Sequence, residues 1–487
     1  MPDSAPVLRD PIVPPKPHPL LVAAPVPMIV RLALPTTAVM IAQSGVSIAE
    51  TWVIGQLGTE ALAGFALVFP LFMLMTMMAA GGIGGGIASA IARASGGGRT
   101  ADVRALVVHA LLIALGFALL FTIGMHIFGV DIFRLLGSLR SGAGAGGGSD
   151  PARVLGYALT YSDTIFAGAA AHWAMFALSA IFRGAGNAAL PGKAMLVSSL
   201  LQIPLTYVLA LGVGGWGGLG IAGAAVSAIC TATLAAALMG FALSRGAAGF
   251  SITLRGISLR RHLFAPILRV GLMSSVSAIT ANLTTILITL LVAGFGVAAL
   301  AGYGVGSRLE FMLVPLAFGI GSALTTLVGI AVGAGQWERA VRVAIIGSLM
   351  AAALTGTVGS LVAIFPHAWM SIFSADPLVQ QTGVTYLTRA APFYAFFGLG
   401  MALNFASQGA GRQGVPLAIA FMRLALAAGG GWLAVHVLKL GEDGLFWAVA
   451  AAIVLFGVAN LGALIVRPWR ARPVVSAAGA ARTAPAA

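Results

Sequence analysis

Long apolar runs, separated by short polar, glycine or proline stretches, make up most of this chain. A run of 18 or more apolar residues with few charges has the length of a helix that crosses the hydrocarbon core of a bilayer. We therefore predict an all-α membrane protein with twelve transmembrane helices. The predicted segments lie near residues 30–54, 61–88, 103–127, 154–179, 188–212, 219–243, 265–292, 299–326, 340–365, 380–405, 414–437 and 443–466.

Composition and charge placement support this interpretation. The 487 residues are 59% hydrophobic and 8% charged, with a mean hydropathy of +1.00. Soluble domains carry about 25% charged residues, which excludes a water-soluble fold. With a cytoplasmic N-terminus, twenty of the 27 Lys and Arg residues fall on the cytoplasmic side, four fall outside and three lie within helices. This bias predicts that both termini are cytoplasmic and explains the net charge of +14 without a nucleic-acid partner.

The chain also aligns with itself. An offset of 238 residues aligns 31–104 with 269–342 without a gap, and an offset of 225 aligns GAGNAALP (184–191) with GAGRQGVP (409–416). The difference corresponds to a glycine-rich insert at 138–151. Two six-helix halves repeated in the same orientation are related by a pseudo-twofold axis along the membrane normal, an arrangement typical of transporters.

The repeat sets the predicted domain boundaries. We expect an N-terminal lobe, a cytoplasmic linker and a C-terminal lobe, with disordered tails at both ends. The N-terminal lobe is predicted at 28–243, the linker at 244–264 and the C-terminal lobe at 265–468. The tails are 1–27 and 469–487.

Three acids fall inside predicted helices: Glu50, Asp163 and Glu310. Each would cost about 2.5–3.5 kcal/mol against lipid, so each is expected to face a partner or a wet cavity. None is repeated in the other half. For Glu50 a functional role is favoured over contact with headgroups, and for Asp163 an interfacial position is favoured. Glu310 follows Arg308 by two residues, and for these two a functional and a counter-ion role remain equally open.

Other signals are weaker. Arg389 and Arg423 lie near helix ends, where we expect their side chains to extend to the interface. The glycines of GGIGGG (81–86) lack the spacing of a dinucleotide loop and indicate close helix packing. No metal-binding spacing and no phosphate loop is present, so neither a cofactor, a metal nor an enzymatic activity is expected.

Several stretches resemble a known family. Pro35 is followed by ETWVIGQLG, the second half has GYGVGSRLEFMLVPLAFGIGSALTTLVGIAVGAGQ (302–336), and the two loops GAGNAALP and GAGRQGVP occupy equivalent places. Together they are similar to the multidrug and toxic compound extrusion (MATE) family over residues 28–468. The resemblance implies a V-shaped pair of six-helix bundles that exports amphipathic, often cationic drugs by antiport with protons or sodium.

The resemblance also suggests site residues. It implies that Glu50, as the acid of the first helix, binds the coupling proton or cation. The family's polar pair on the fifth helix falls at Gln202 and Thr206, so the aspartate of one branch is missing. Acids that another branch has on helices seven and ten fall at Ala281 and near Leu399. The candidates for the substrate cavity are Gln43, Gln202, Thr206, Asn282, Arg308, Glu310 and Asn404.

These observations predict a monomeric secondary antiporter of the inner membrane, with a small amphipathic or cationic substrate. Proton coupling is favoured over sodium, because Na⁺ prefers several oxygen ligands and the first helix offers few. One alternative is a flippase for a lipid-linked saccharide or related lipid, which would need several Arg and Lys residues in its cavity to hold a diphosphate. The other is an intramembrane prenyl transferase, which would need clustered aspartates to hold magnesium.

Overall fold

The computed structural model describes residues 19–142, 150–250, 259–466 and Trp469. Among these residues, eleven helices are long and apolar enough to cross a membrane, and a bent pair forms a twelfth span. The bounds are α1 Pro25–Gln56, α2 Thr59–Gly96, α3 Thr100–Gly142, α4 Pro151–Ala167 with Ala169–Gly184, α5 Ala189–Leu211, α6 Ile221–Ser244, α7 Arg261–Ala293, α8 Val297–Gly333, α9 Trp337–Ile364, α10 Pro377–Gly409, α11 Gly414–Val437 and α12 Gly441–Val466. The predicted number of spans is confirmed.

Helix ends differ from the predicted positions where packing extends a helix. The second helix, predicted at 61–88, runs on to Gly96, and the third, predicted at 103–127, runs to Gly142. The last turns of α2 are rich in Gly and Ala and are buried against other helices, so the chain remains helical past the apolar run. A π-helical turn at Met78–Gly82 interrupts α2 near its middle.

The bend in α4 has a local cause. Its two parts meet at Gly168 at an angle of 47°. The hydroxyl of Thr122 on α3 donates a hydrogen bond to the carbonyl oxygen of Phe166 at 2.6 Å, just before the break. A side chain that competes for a helical carbonyl is a recognised cause of helix kinks. The glycine itself provides room for the side chain of Ile229.

The two halves of the sequence form equivalent structures. Gly58 and Gly296, 238 residues apart, begin α2 and α8 with φ angles of 117° and 110°, values that residues with a side chain rarely adopt. Gly64 packs against α4, where a Cβ would lie 2.8–2.9 Å from Tyr157, Ala158 and Val154. Its counterpart Gly302 packs against α10 at Val379, Thr382 and Gly383, which are the same partners shifted by 225 residues. The predicted repeat is therefore present in three dimensions.

Contacts between the lobes concentrate at the end of the molecule that carries Pro19 and Trp469, the first and last described residues, called here the closed end. The last turns of α2 lie against α8, with Gly96 beside Ile330 and Gly329 beside Ala92. The first half of α1 also packs on α8, where Leu32 and Leu324 belong to one buried cluster. Among the described residues, the hydrogen bonds between lobes lie in this half, apart from one between Asn282 and Met77.

The expected disorder of residues 1–27 is wrong for its last part. Pro19–Leu21 form a helical turn, and Leu21 is buried. Arg339 at the start of α9 donates hydrogen bonds to the carbonyl oxygens of Leu20 (3.2 Å) and Ala23 (2.6 Å). The segment is ordered because it packs on the other lobe. Trp469, within the expected C-terminal tail, is likewise buried. The predictions for residues 1–18, for 143–149 of the insert, for 251–258 of the linker and for the tail other than Trp469 fall outside the described residues.

The close approach of α2 to α4 and of α8 to α10 gives a direct test of the repeat. Gly64→Val and Gly302→Val should each lower stability by about 1–3 kcal/mol or more, because the new side chain meets backbone atoms that cannot move aside. Thermal unfolding of the detergent-purified variants measures this. Gly116→Val is the control, since Gly116 has open space around it. Equal unfolding temperatures for all three variants would contradict the equivalence.

Candidate functional site

Glu50 is buried in the N-terminal lobe. It lies on α1 with 7% of its surface exposed, and its carboxylate Oε1 accepts a hydrogen bond of 2.8 Å from the hydroxyl of Tyr161 on α4. Tyr161 is 1% exposed, and the ring of Phe65 on α2 packs edge-on against it with 5.1 Å between ring centroids. Three helices therefore fix the position of this acid.

The neighbours of Glu50 are neutral. Among the described residues, five ion pairs are formed, and Glu50 takes part in none of them. A buried carboxylate that has a hydroxyl donor but no cation gains less from ionisation than an exposed one, because burial disfavours the charged form. This environment suits a group that binds and releases a proton during a reaction cycle.

The C-terminal lobe contains an equivalent aromatic pair. Tyr303 on α8 and Tyr386 on α10 are the counterparts of Phe65 and Tyr161, and their rings also meet edge-on, with centroids 5.2 Å apart. The hydroxyl of Tyr386 lies 3.4 Å from Oε2 of Glu310 and donates to it. Each lobe thus has an acid at the hydroxyl of its equivalent tyrosine, Tyr161 or Tyr386. The acid comes from α1 in the N-terminal lobe and from α8 in the C-terminal lobe.

The ion-pair partner of Glu310 comes from another helix. Nη2 of Arg423, on α11, lies 3.2 Å from Oε1 of Glu310, and the two side chains are 15% and 23% exposed. Arg308 instead is exposed and lies over the ring of Phe373. Arg308 and Glu310 do not contact each other, because residues two apart point to different sides of a helix, and the counter-ion of Glu310 comes from a neighbouring helix.

One further expectation about a charged residue needs correction. Arg423 does not extend to the interface but lies against the rings of Phe397 and Phe456, which hold it inside the lobe. Arg389 forms an ion pair of 2.8 Å with Asp443 on α12. In both cases a partner from another helix holds the arginine in place. Asp163 is exposed on α4, away from Tyr161 and Glu50.

The other candidates do not gather around Glu50. Thr206 and Gln202 on α5 face α6, where they contact Ser227 (2.6 Å) and Thr231 (3.5 Å) inside the N-terminal lobe. Asn282 is exposed on α7. Two further candidates lie toward the closed end. Asn404 accepts a hydrogen bond of 2.6 Å from Gln413, and Gln43 lines a small cavity beside Arg183.

Comparison with known proteins identifies the family. The MatE family model matches residues 35–208 and 274–433. The chain belongs to the MatE family. This membership agrees with the resemblance of the helix 1, helix 8 and loop motifs, and it makes the protein a member of a family of multidrug efflux transporters.

Relatives of MATE type match nearly the whole chain. A protein of Thermotoga maritima named "Probable multidrug resistance protein NorM" is 25% identical, over 92% of this chain and 94% of its own. A NorM protein of Deinococcus radiodurans is 29% identical over 90% and 95%. A "FAD transporter" of Shewanella oneidensis is 25% identical over 90% and 94%. Among solved structures, a multidrug resistance MATE family transporter in an outward-facing conformation superposes with a TM-score of 0.81 at 25% identity, covering 93% of this chain and 98% of the other.

The closed end of this MATE fold is held by a polar network that the sequence analysis missed. Gln408 on α10 donates hydrogen bonds to the carbonyl oxygen of Gly81 on α2 (2.9 Å) and to the hydroxyl of Ser274 on α7 (2.7 Å). Ser89 on α2 donates to the carbonyl oxygens of Gln408 and Gly409. The bonds to Gly81 and from Ser89 join the N-terminal lobe to the C-terminal lobe across their seam, whereas Ser274 belongs to the same lobe as Gln408.

Two arginines extend this network. Arg93 on α2 donates to Ser89 and to the carbonyl oxygen of Gly409. The carbonyl oxygen of Arg183 on α4 accepts a hydrogen bond of 2.9 Å from Thr326 on α8. A signal for Gln408 was present in the sequence: it occupies the position equivalent to Arg183 at the 225 offset, directly before the repeated Gly-Ala-Gly loop.

We expect Gln408→Ala to loosen the closed end. The change removes three hydrogen bonds of the side-chain amide, two that it donates and one that it accepts from Thr325 (3.3 Å). One of the three crosses the seam, and the loss should cost about 1–3 kcal/mol. The ratio of closed to open molecules would then fall by roughly tenfold. Thr100 and Glu338 lie at the closed end, one in each lobe, and each is replaced by a cysteine that carries a spin label in protein lacking Cys230. Double electron–electron resonance then gives the distribution of distances between the two labels.

The matched control is Gln380→Ala, which removes a glutamine that bonds locally to Ser374. It should leave the distance distribution unchanged. A Gln408→Ala protein with the distribution of the parent would show that these hydrogen bonds do not hold the lobes together.

Proposed function

We propose that this protein exports amphipathic or cationic organic compounds in exchange for protons, and that Glu50 carries the exchanged proton. The observation that supports this most directly is the position of Glu50, a buried carboxylate held by the Tyr161 hydroxyl without a cation among its described neighbours. Family membership supports the export of small molecules, and the site supports the choice of ion.

The arrangement suggests a reaction cycle. When the lobes are apart at the end opposite the closed end, Glu50 binds a proton, which weakens the attraction for a cationic compound and favours its release. When the closed end opens instead, loss of the proton restores a negative charge that attracts the next cation. The placement of Lys and Arg residues supports a cytoplasmic position for the closed end. On this assignment the described conformation faces outward, and export requires the Gln408 network to open.

Proton coupling is favoured over sodium by the neighbouring hydroxyls. A sodium ion needs several oxygen ligands, but Ser44 and Thr51 donate to their own helix at the carbonyls of Met40 (3.0 Å) and Ser47 (2.7 Å). The hydroxyl oxygens of Ser44 and Thr51 could still accept a bond from an ion. Their hydrogen bonds, however, hold them along the α1 backbone and not toward the Glu50 carboxylate. The carboxylate and one tyrosine hydroxyl form a site suited to a proton.

The exposed face of α1 suits an amphipathic cargo. A groove of about 500 Å³ runs along this face, where Ser47 and Thr51 lie next to Ile48 and Trp52, and Glu50 is on the buried side of the same helix. The proposed location is the inner membrane, with a monomer as the working unit, cytoplasmic termini and lipid around the bundle. Flavin transport by one relative extends the range of possible cargo but does not by itself change the proposal.

The alternatives find less support. A lipid-linked saccharide carries a diphosphate, and binding it would require free cations. Arg389 and Arg423 are paired with acids, and Arg93 and Arg183 are engaged in hydrogen bonds to Ser89 and Ser179 of their own helices. Arg308 is the third of the arginines predicted within spans and has no acid partner among the described residues. A prenyl transferase would need an acidic cluster for magnesium, and the described residues contain no group of three or more His, Cys, Asp or Glu that could hold a metal.

Substitution of Glu50 tests the proposal. Glu50→Gln mimics the protonated form, so the variant should insert normally but reduce drug efflux to the level of cells without the pump. Glu50→Asp should retain part of the activity. The measurement is accumulation of fluorescent cations in cells lacking other pumps, with expression checked in the membrane fraction. Wild-type efflux by Glu50→Gln, or efflux that follows sodium and ignores pH, would refute it.

Tyr161→Phe tests the geometry of the same site. The hydroxyl donates to the Glu50 carboxylate and stabilises its charged form, so its loss should move the pH dependence of efflux to higher pH. The profile is measured in vesicles over a range of internal and external pH. Tyr207→Phe is the control, since Tyr207 is 46% exposed on α5. A Tyr161→Phe profile that overlays the control would show that this hydrogen bond does not tune Glu50.

A further inference from the structure

The acids beside the two equivalent tyrosines differ in their charged neighbours, because Glu310 has a cation next to it and Glu50 has none among the described residues. We infer that Arg423 is a built-in counter-cation that keeps the Glu310 carboxylate ionised, so that the C-terminal lobe contributes no exchangeable proton. Ion exchange is then confined to the N-terminal lobe. This inference rests on the proposed function of Glu50 and adds to it the role of the second lobe.

The equivalence of the two positions is the first step. Tyr161 and Tyr386 are related by the 225 offset, their ring partners Phe65 and Tyr303 by the 238 offset, and the two ring pairs meet at 87° and 86°. The α1 acid has no equivalent on α7, where Ile288 is 2% exposed. Glu310 from α8 supplies a carboxylate to the tyrosine hydroxyl instead. The second lobe therefore retains the parts of a proton site.

The cation beside Glu310 is the second step. A guanidinium remains charged at any pH that a cell experiences. At 3.2 Å from the carboxylate it favours the ionised acid, and the rings of Phe397 and Phe456 lie within 5.6 Å and 5.1 Å of its central carbon. Unlike a sodium ion or a proton, this cation is part of the chain and cannot leave during a transport cycle.

The remaining groups around Glu310 are neutral or distant. Tyr386 donates to it, and the hydroxyls of Tyr386 and Tyr394 are 3.2 Å apart. Tyr303 packs on Tyr386 and is paired with Thr289 of α7. Tyrosines ionise near pH 10, so they carry no charge at neutral pH. Arg308 is on the same helix but is exposed, over Phe373. Among the described residues, Arg423 is the cation that contacts this carboxylate.

Removal of Arg423 should therefore convert Glu310 into a second proton-binding acid. In Arg423→Gln, the carboxylate would retain its donor Tyr386 and lose its cation, which is the environment of Glu50. A carboxylate left partly buried without its partner is costly, and taking up a proton relieves that cost.

Infrared difference spectroscopy of the full-length protein in nanodiscs tests this, because a protonated carboxyl group has its own carbonyl stretch. The titration runs between about pH 6 and pH 9, where exposed acids stay ionised. It is done in a Glu50→Gln background, so that Glu50 makes no contribution. The background protein should show no titrating carboxyl band, and the addition of Arg423→Gln should produce one. Adding Glu310→Gln as well should remove it.

Two controls complete the experiment. Arg389→Gln breaks the Arg389–Asp443 pair of the same lobe, whose side chains are 38% and 48% exposed, and it should produce no band in this pH range. If Arg423→Gln does not fold, the spectrum of Glu50→Gln alone decides the question. A titrating carboxyl band in that spectrum, lost when Glu310→Gln is added, would overturn the inference. It would also be overturned if folded Glu50→Gln/Arg423→Gln protein gave no band. Failure of the Glu50 proposal would be seen separately, because the wild-type protein would then show no titrating carboxyl band.

Discussion

The low dielectric of the membrane interior makes an isolated charge costly within the spans of this protein. An acid there must have a cation, a set of donors or a proton, and the two lobes meet this requirement in different ways. Glu50 has the hydroxyl of Tyr161, whereas Glu310 has Tyr386 and also Arg423. On our account, the missing cation makes Glu50 the group that gains and loses a proton, and the fold serves to bring that group to one side of the membrane and then to the other.

The two halves share one helix arrangement but differ in the residues that they contribute to the seam. Their glycine contacts and aromatic pairs are equivalent, which preserves the packing of α2 on α4 and of α8 on α10. The seam between them depends on residues that are not equivalent: Ser89 and Arg93 on one side, and Gln408 on the other. A polar seam of individually modest hydrogen bonds can hold one state and still be broken by a small difference in free energy.

Much of this could be predicted from the sequence, because the governing signals are local or periodic. Run length gave the twelve spans, self-alignment gave the two lobes, and charge made Glu50 conspicuous. Side-chain partners could not be found in this way. Tyr161 is 111 residues from Glu50, and Arg423 is 113 residues from Glu310. Such pairs depend on how helices tilt and rotate against one another. The repeat offered a partial route, since it relates Tyr161 to Tyr386 and Arg183 to Gln408.

Proton release on substrate binding tests the central claim most directly. Purified protein in weakly buffered solution is mixed with a cationic compound that it exports from cells, and the pH change is followed with an indicator dye. The account predicts that wild-type protein releases protons when the cation binds and that Glu50→Gln releases none while remaining folded. Equal release by the two proteins, or binding by the wild type that displaces sodium and no proton, would contradict it.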